Sequence, residues 1–255
     1  MAEPLTYERR GPAAVVTIDR QERRNAVDGP TAELLAAAHE RFEADDEARV
    51  LVLTGAGGVA FCAGADLKDI ETLGPRLDDP RGPLGFTRVL ASKPTIAAIS
   101  GWCLAGGFEL ALWCDLRVAT IDSRLGFTER RFGVPLVDGG TQRLPRIVGL
   151  GRALDLILSG RIVEAGEAQA MGLLTEVVEP GAHLEHALAM AEALARFPQD
   201  TMLMDRRAAI EGSALPLADG LALEARSGPA TLATAWKGAG RFAGGEGRGG
   251  EGAGL

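Results

Sequence analysis

Aliphatic and β-branched residues run together at 13–19 and 49–54, and between them Leu34, Leu35, Ala38 and Phe42 recur at the spacing of one helix face over 31–44. Those periods predict strand, helix, strand, with Pro30 standing where the helix would begin. Further strand-like runs fall at 94–100, 116–121 and 173–178, and helical patterns at 107–114, 152–159 and 164–171. Continuous apolar strands interleaved with helices predict an α/β fold with several buried strands. Beyond Pro180 the pattern turns wholly helical, at 183–196, 200–211 and 217–235, rich in Ala, Leu and Glu. The expected division is therefore a core over 1–195 and a helical region over 196–255. The last twelve residues, 244–255, hold seven glycines and are expected to be mobile unless bound. The stretch 73–85 (LGPRLDDPRGPLG) reads as a surface loop and a candidate lid.

One apolar stretch has the length of a membrane span. Residues 94–114 carry a single formal charge, Glu109, over a length that could span a bilayer. Pro94, Gly101, Gly106 and Gly107 interrupt it, Asp115 and Arg117 follow at once, and a central carboxylate in lipid would cost about 2.5 kcal/mol or more. A buried strand, a glycine turn and a buried helix that keeps one carboxylate inside fit better, and no membrane partner is expected. With 27 Lys and Arg against 35 Asp and Glu, the net charge of -8 argues against nucleic acid as a partner. Cys62, Cys103 and Cys114 are odd in number, lack CxxC spacing and sit in apolar or small-residue runs. They read as buried reduced thiols of a cytoplasmic protein, and no apolar leader is seen at the N-terminus.

Three segments carry candidate chemistry. In 55–66 (GAGGVAFCAGAD), Gly55, Gly57 and Ala60 satisfy a dinucleotide-binding spacing. They lead, however, into an extended small-residue run, and the acids about twenty residues on, Asp78 and Asp79, fall in the Pro/Gly loop. The alternative is that Gly64 and Ala65 let backbone approach a ligand, with the Ala65 N–H as a donor to a developing oxyanion. A tight turn needed only for packing is the plain alternative. In 100–115 (SGWCLAGGFELALWCD), Gly106 and Gly107 would open a helix whose first N–H groups lack partners, so that Gly106 supplies a second donor. Glu109, among Phe108, Leu110, Ala111, Leu112 and Trp113, is either a first-turn charge or a buried functional carboxylate. In 126–149, Glu129 could simply pair with Arg130 and Arg131, and Asp138 before Gly139 and Gly140 could be an N-cap or turn residue. His39, His183 and His186 lie in helical surroundings and are expected to play no chemical part.

Taken together, these segments resemble the enoyl-CoA hydratase/isomerase (crotonase) family, and the match runs over most of the chain. Residues 19–34 resemble the family's stretch before its first long helix, 61–68 (FCAGADLK) its first oxyanion motif, 101–115 its glycine-rich second motif, and 139–144 (GGTQRL) a further signature. The resemblance implies a spiral of ββα units with a C-terminal helical trimerisation region, and homotrimers or hexamers. It implies an oxyanion hole from the Ala65 and Gly106 N–H groups, with coenzyme A held around Ala26, Ala63 and Ala65 and its phosphates near Lys68. Glu109 and Glu129 match the two catalytic glutamates of family hydratases, so an acyl-CoA substrate and addition of water to a 2-enoyl-CoA are expected, with no metal or redox cofactor. Asp138 departs from the hydratases, which carry a small residue there, whereas isomerase and dehalogenase relatives place a working aspartate nearby. An isomerase or hydrolase-like use of Asp138, or a non-catalytic acyl-CoA-binding protein, are the alternatives. The lysine that many relatives use near the C-terminus to bind the nucleotide has no clear match.

Overall fold

The computed structural model describes residues 3–247 and 249. In chain order the elements are β1 (Leu5–Arg10), β2 (Ala13–Ile18), α1 (Gly29–Ala44), β3 (Val50–Gly55), β4 (Ala60–Cys62), β5 (Thr95–Ile99), β6 (Trp102–Leu104), α2 (Gly106–Trp113), β7 (Leu116–Thr120) and β8 (Arg124–Gly126). They continue with α3 (Gly140–Val148), α4 (Leu150–Ser159), β9 (Ile162–Glu164), α5 (Ala165–Ala170), β10 (Glu176–Val178), α6 (His183–Arg196), α7 (Gln199–Gly212), α8 (Leu217–Ser227) and α9 (Leu232–Ala243).

Strands sort into two sheets, one ordered β1-β2-β3-β5-β7-β10 and one ordered β4-β6-β8-β9. The larger is parallel throughout except at its edge, where β1 runs antiparallel to β2. Three times the chain leaves a long strand of the large sheet for a short strand of the small one, in β3/β4, β5/β6 and β7/β8. This is the repeating ββα step of the expected α/β spiral. Strands β3 and β5 are buried at every position, which is why they read as unbroken apolar runs. Strand β1 (LTYERR) alternates and carries the charges of an edge strand. Asp28 caps α1, its side chain accepting the Thr31 N–H at 2.9 Å, and Pro30 sits in the first turn. Leu35, Ala38 and Phe42 of α1 enter the core, but Leu34 points outward.

The expected membrane-length stretch resolves into β5, a turn at Gly101, β6 and α2, and among the described residues no helix is long and apolar enough to cross a membrane. Helix α2 is buried on nearly every side, which accounts for its uniform hydrophobicity. Its C-terminus is closed by Arg117, whose buried guanidinium donates to the carbonyls of Cys114 (2.6 Å), Asp115 (3.2 Å) and Leu173 (2.6 Å). A cation at that end stabilises the helix dipole and the orphan carbonyls together.

The chain divides into two compact units, Met1–Ala191 and Glu192–Leu255. The first holds both sheets and the hydrophobic core, around Leu51, Leu53, Phe61, Ile99, Phe108 and Phe127. The second holds α7, α8 and α9, with no strand among its described residues. The helix expected over 217–235 is two helices, because Pro229 interrupts it with a 3-10 turn at Gly228–Thr231. The expectation of a mobile glycine tail falls in part on residue 248 and on 250–255, which lie outside the described residues.

The 73–85 stretch is not a free surface loop. Leu73, Leu84 and Phe86 are buried, the Arg76 Nε donates to the Pro83 carbonyl at 2.9 Å, and Gly85 lies so close to α1 that a Cβ there would stand 2.5 Å from the Ala32 carbonyl oxygen.

Candidate active site

Between strand β6 and helix α2 stands Ala105, the N-cap, which has φ 52° and ψ −129°, a strained conformation for a residue with a side chain. Hydrogen bonds hold it there: its N–H donates to the Gly126 carbonyl at 2.9 Å, and its carbonyl accepts the Phe108 and Glu109 N–H groups at 2.9 and 3.1 Å. The turn leaves the Gly106 N–H at the start of α2 without a partner in its own helix. Opposite, Val27 and Ala65 form an isolated parallel bridge in which Val27 N–H bonds the Gly64 carbonyl and Asp66 N–H bonds the Val27 carbonyl, each at 2.8 Å. Both bonds flank Ala65, so its own N–H faces the other way. A Cβ placed on Gly64 (φ +93°) would stand 2.7 Å from the Gly106 nitrogen, and one on Gly106 would stand 3.6 Å from the Ala65 nitrogen. The two N–H groups are thus neighbours, and no hydrogen bond among the described residues engages either. Two unengaged donors side by side, one of them at a helix N-terminus, suit a developing oxyanion.

Glu109 sits in the first turn of α2 and is 3% exposed. Its Oε1 accepts the backbone N–H groups of Asp138 at 3.0 Å and Gly140 at 2.7 Å. Those donors favour the ionised form, but burial and the nearby Asp138 carboxyl outweigh them and push its pKa up to about 8. Glu129 lies on the 3-10 helix Thr128–Phe132, is 6% exposed, and neither of its buried oxygens finds a hydrogen-bond partner. The pairing with neighbouring arginines does not form, since the Arg130 Nε donates instead to the Ile157 carbonyl at 3.3 Å. Burial pushes Glu129 up to about 7, with its own backbone N–H and Arg130 only partly offsetting it. A buried carboxyl with no protein partner is costly and rare unless it has another use.

Asp138 is not an N-cap, because the N-cap of α3 is Gly139. Its Oδ1 accepts the Leu84 N–H at 3.0 Å and a short hydrogen bond from the Thr87 hydroxyl. The carboxyl therefore fastens the 84–87 segment, and burial raises its pKa despite those donors. Behind it, Arg143 donates to the Asp138 carbonyl at 2.9 Å and the Thr87 carbonyl at 2.5 Å.

The two unengaged N–H groups and the three carboxyls meet in one cleft, whose empty space, open solvent at its mouth included, is about 560 Å³. It is lined by Ala63, Ala65, Gly106, Glu109, Glu129 and Asp138, and walled by Leu67, Leu84, Ala105, Thr128, Phe132, Val134, Pro135 and Val137. Of the residues expected to hold coenzyme A, Ala63 and Ala65 therefore lie on the cleft. Ala26 and Lys68 do not line it. The Ala26 N–H bonds the Arg23 carbonyl at 3.1 Å and its carbonyl takes a short hydrogen bond from Arg20, while Lys68 is exposed. The histidines lie elsewhere: His39 is buried between Phe86 and Trp113, and His186 reaches Glu176 at 2.6 Å. Leu84 and Thr87 were missed as site residues, because a Pro/Gly-rich stretch with charges carries no pattern that reveals a buried end.

A sequence model of the enoyl-CoA hydratase/isomerase family matches residues 8–244. The chain is 39% identical over 236 residues to a probable enoyl-CoA hydratase of Rhizobium meliloti, covering 91% of each. It is 35% identical to the short-chain-enoyl-CoA hydratase of Clostridium acetobutylicum, covering 88% of this chain and 87% of that one. The crystal structure of the enoyl-CoA hydratase EchA1 from Mycobacterium marinum superposes with a TM-score of 0.88 at 37% identity, over 94% of this chain and 96% of the other.

Proposed function

The chain belongs to the enoyl-CoA hydratase/isomerase family, and on that premise we propose that it catalyses the reversible addition of water to the double bond of a 2-enoyl-CoA. The observation that carries the reading is the unpartnered Glu129 carboxyl, buried in the same cleft as Glu109 and the two unengaged N–H groups. Isomerisation of a double bond needs one positioned carboxylate; adding the elements of water across a double bond uses two.

The thioester carbonyl oxygen accepts the Ala65 and Gly106 N–H groups, which draws electron density from the β-carbon. Water attacks that carbon while the Glu109 carboxylate takes its proton, and the electron pair moves to the thioester oxygen as an enolate. One such donor typically contributes about 2.7–4 kcal/mol at that point. The enolate collapses, and the Glu129 carboxyl delivers a proton to the α-carbon. Glu109 is left protonated and Glu129 ionised, and exchange with solvent restores both. Dehydration runs the same steps backward. Coenzyme A, as part of the substrate, lies along Ala63 and Ala65 toward Ala26 and Lys68, the last supplying the exposed cation for its phosphates. Analysis of products from a 2-enoyl and a 3-enoyl thioester tests the reading: a 3-hydroxyacyl-CoA from the first supports it, and interconversion of the two alone sinks it.

The same reading places the enzyme in the cytoplasm, which suits three free, buried cysteines. It also makes the enzyme a homo-oligomer, trimers paired into a hexamer. Exposed apolar residues on the C-terminal helices support association: Leu217 is 79% exposed and Trp236 72%. Light scattering at micromolar protein should give the mass of three or six chains, and a monomer there overturns the assembly.

A further inference from the structure

Every ionisable side chain among the described residues lining the cleft is an acid. Three carboxyl groups line it, on Glu109, Glu129 and Asp138, and no lysine, arginine or histidine is among its lining residues. Its remaining wall is apolar, with Leu84, Val134, Pro135 and Val137 inside and Phe132, 70% exposed, among its lining. The cations nearest Asp138 are turned to other partners. Arg143 donates to the Asp138 and Thr87 carbonyls, and Arg88 donates to the carbonyls of Leu77 and Asp79 at 2.9 Å and Val137 at 3.2 Å. Both guanidiniums hold backbone behind the wall, and neither reaches the space an acyl chain would fill. Next to Glu129, Arg130 likewise donates to the Ile157 carbonyl.

We propose that this cleft selects acyl groups by charge, admitting uncharged acyl chains and rejecting those that end in a carboxylate, with Asp138 as the residue that sets the rejection. The inference rests on the hydratase reading and deepens it. Glu109 and Glu129 are accounted for by the chemistry, whereas Asp138 adds a third acid where water addition requires none. Its Oδ1 is taken by Leu84 and Thr87, and among the described residues it forms no salt bridge, Arg88 and Arg143 acting on it only from a distance. A second carboxylate brought there would lose its water and meet like charge in a partly dry pocket, and selection against a ligand works through such unpaired like charges.

The test compares three thioesters of one length: hex-2-enoyl-CoA, the same chain with its terminal methyl replaced by a carboxylate, and the matching terminal carboxamide. The amide has the shape of the carboxylate without its charge. Hydration of the carboxylate should be lower in kcat/KM than that of the amide by about 10²-fold or more, with the amide within about tenfold of the hydrocarbon chain. In Asp138→Asn the gap between carboxylate and amide should narrow by about tenfold, because one ionisable acid is gone while an acceptor oxygen for Leu84 and Thr87 remains. Equal use of carboxylate and amide by the wild-type enzyme overturns the proposal, and so does rejection of both alike. An unchanged gap in a folded Asp138→Asn variant removes Asp138 from it. Calorimetry with the saturated counterparts reads the same ranking in binding, so that if none of the three enoyl thioesters is hydrated the hydratase reading fails while the charge rule is still decided.

Discussion

Glu109→Gln and Glu129→Gln are each expected to lower turnover of a 2-enoyl-CoA by at least about 10², the low end of what a positioned acid or base contributes. Both side chains are buried in one cleft, and glutamine keeps their size while removing the proton traffic. Binding of a saturated acyl-CoA, followed by calorimetry, should change little, since the backbone donors are untouched. The pH dependence separates the two roles. Glu129 acts protonated and lies near 7, so activity that depends on it falls as pH rises through about 7. Glu109 acts ionised and lies near 8, so activity that depends on it grows as pH rises through about 8. The wild-type kcat/KM profile should therefore be a bell with its top between those values, and only a minority of molecules hold the productive pair at any pH. Residual activity of Glu129→Gln should rise with pH and that of Glu109→Gln should fall. Asp138→Asn should stay within about tenfold for an uncharged chain, since its Oδ1 can still accept from Leu84 and Thr87. Loss of turnover in Asp138→Asn with Glu129→Gln tolerated would replace water addition by an isomerase-like use of Asp138.

Gly64→Ala is expected to remove turnover to a similar or greater degree through the backbone alone. The added Cβ would stand 2.7 Å from the Gly106 nitrogen and 2.9 Å from the Ala105 Cβ, at a backbone φ of +93°. Something must shift, and the atoms in the way are those that place both oxyanion donors. With each donor contributing about 10²–10³ in rate, displacing the pair should cost at least about 10² in kcat. The positive φ itself destabilises the fold by about 1–3 kcal/mol, so the comparison is Gly172→Ala. Gly172 has φ +79° with nothing within 4 Å of the new Cβ. That variant should lose comparable thermal stability and keep turnover within a few-fold. Equal losses of turnover in the two variants would mean that the effect is instability and not the oxyanion site.

The chemistry was more legible in the sequence than the packing around it. Gly64, Gly106 and Glu109 stand out because small residues and a lone carboxylate inside an apolar run have few uses. Glu129 was ambiguous beside Arg130 and Arg131, since adjacent charges do not reveal which way a 3-10 helix turns them; the structure sends Arg130 to a carbonyl and leaves the carboxyl alone. Asp138 before two glycines reads as an N-cap or turn residue, yet its partners, Leu84 and Thr87, lie more than fifty positions earlier, beyond any local pattern. Strands β4, β6, β8 and β9 have three residues each, too few for a period of two to register. Pro229 alone marks the break in the last helical run, although the composition on both sides of it is helical.

The central claim is that this cleft adds water across the α,β double bond of an acyl-CoA, and the most direct measurement is the mass of the product formed in ¹⁸O-labelled water. Hex-2-enoyl-CoA should become 3-hydroxyhexanoyl-CoA carrying one ¹⁸O on the acyl chain, with the thioester intact, and Glu129→Gln should form it at least about 10² more slowly. A product of unchanged mass, or label found only in a free carboxylic acid, would contradict the account.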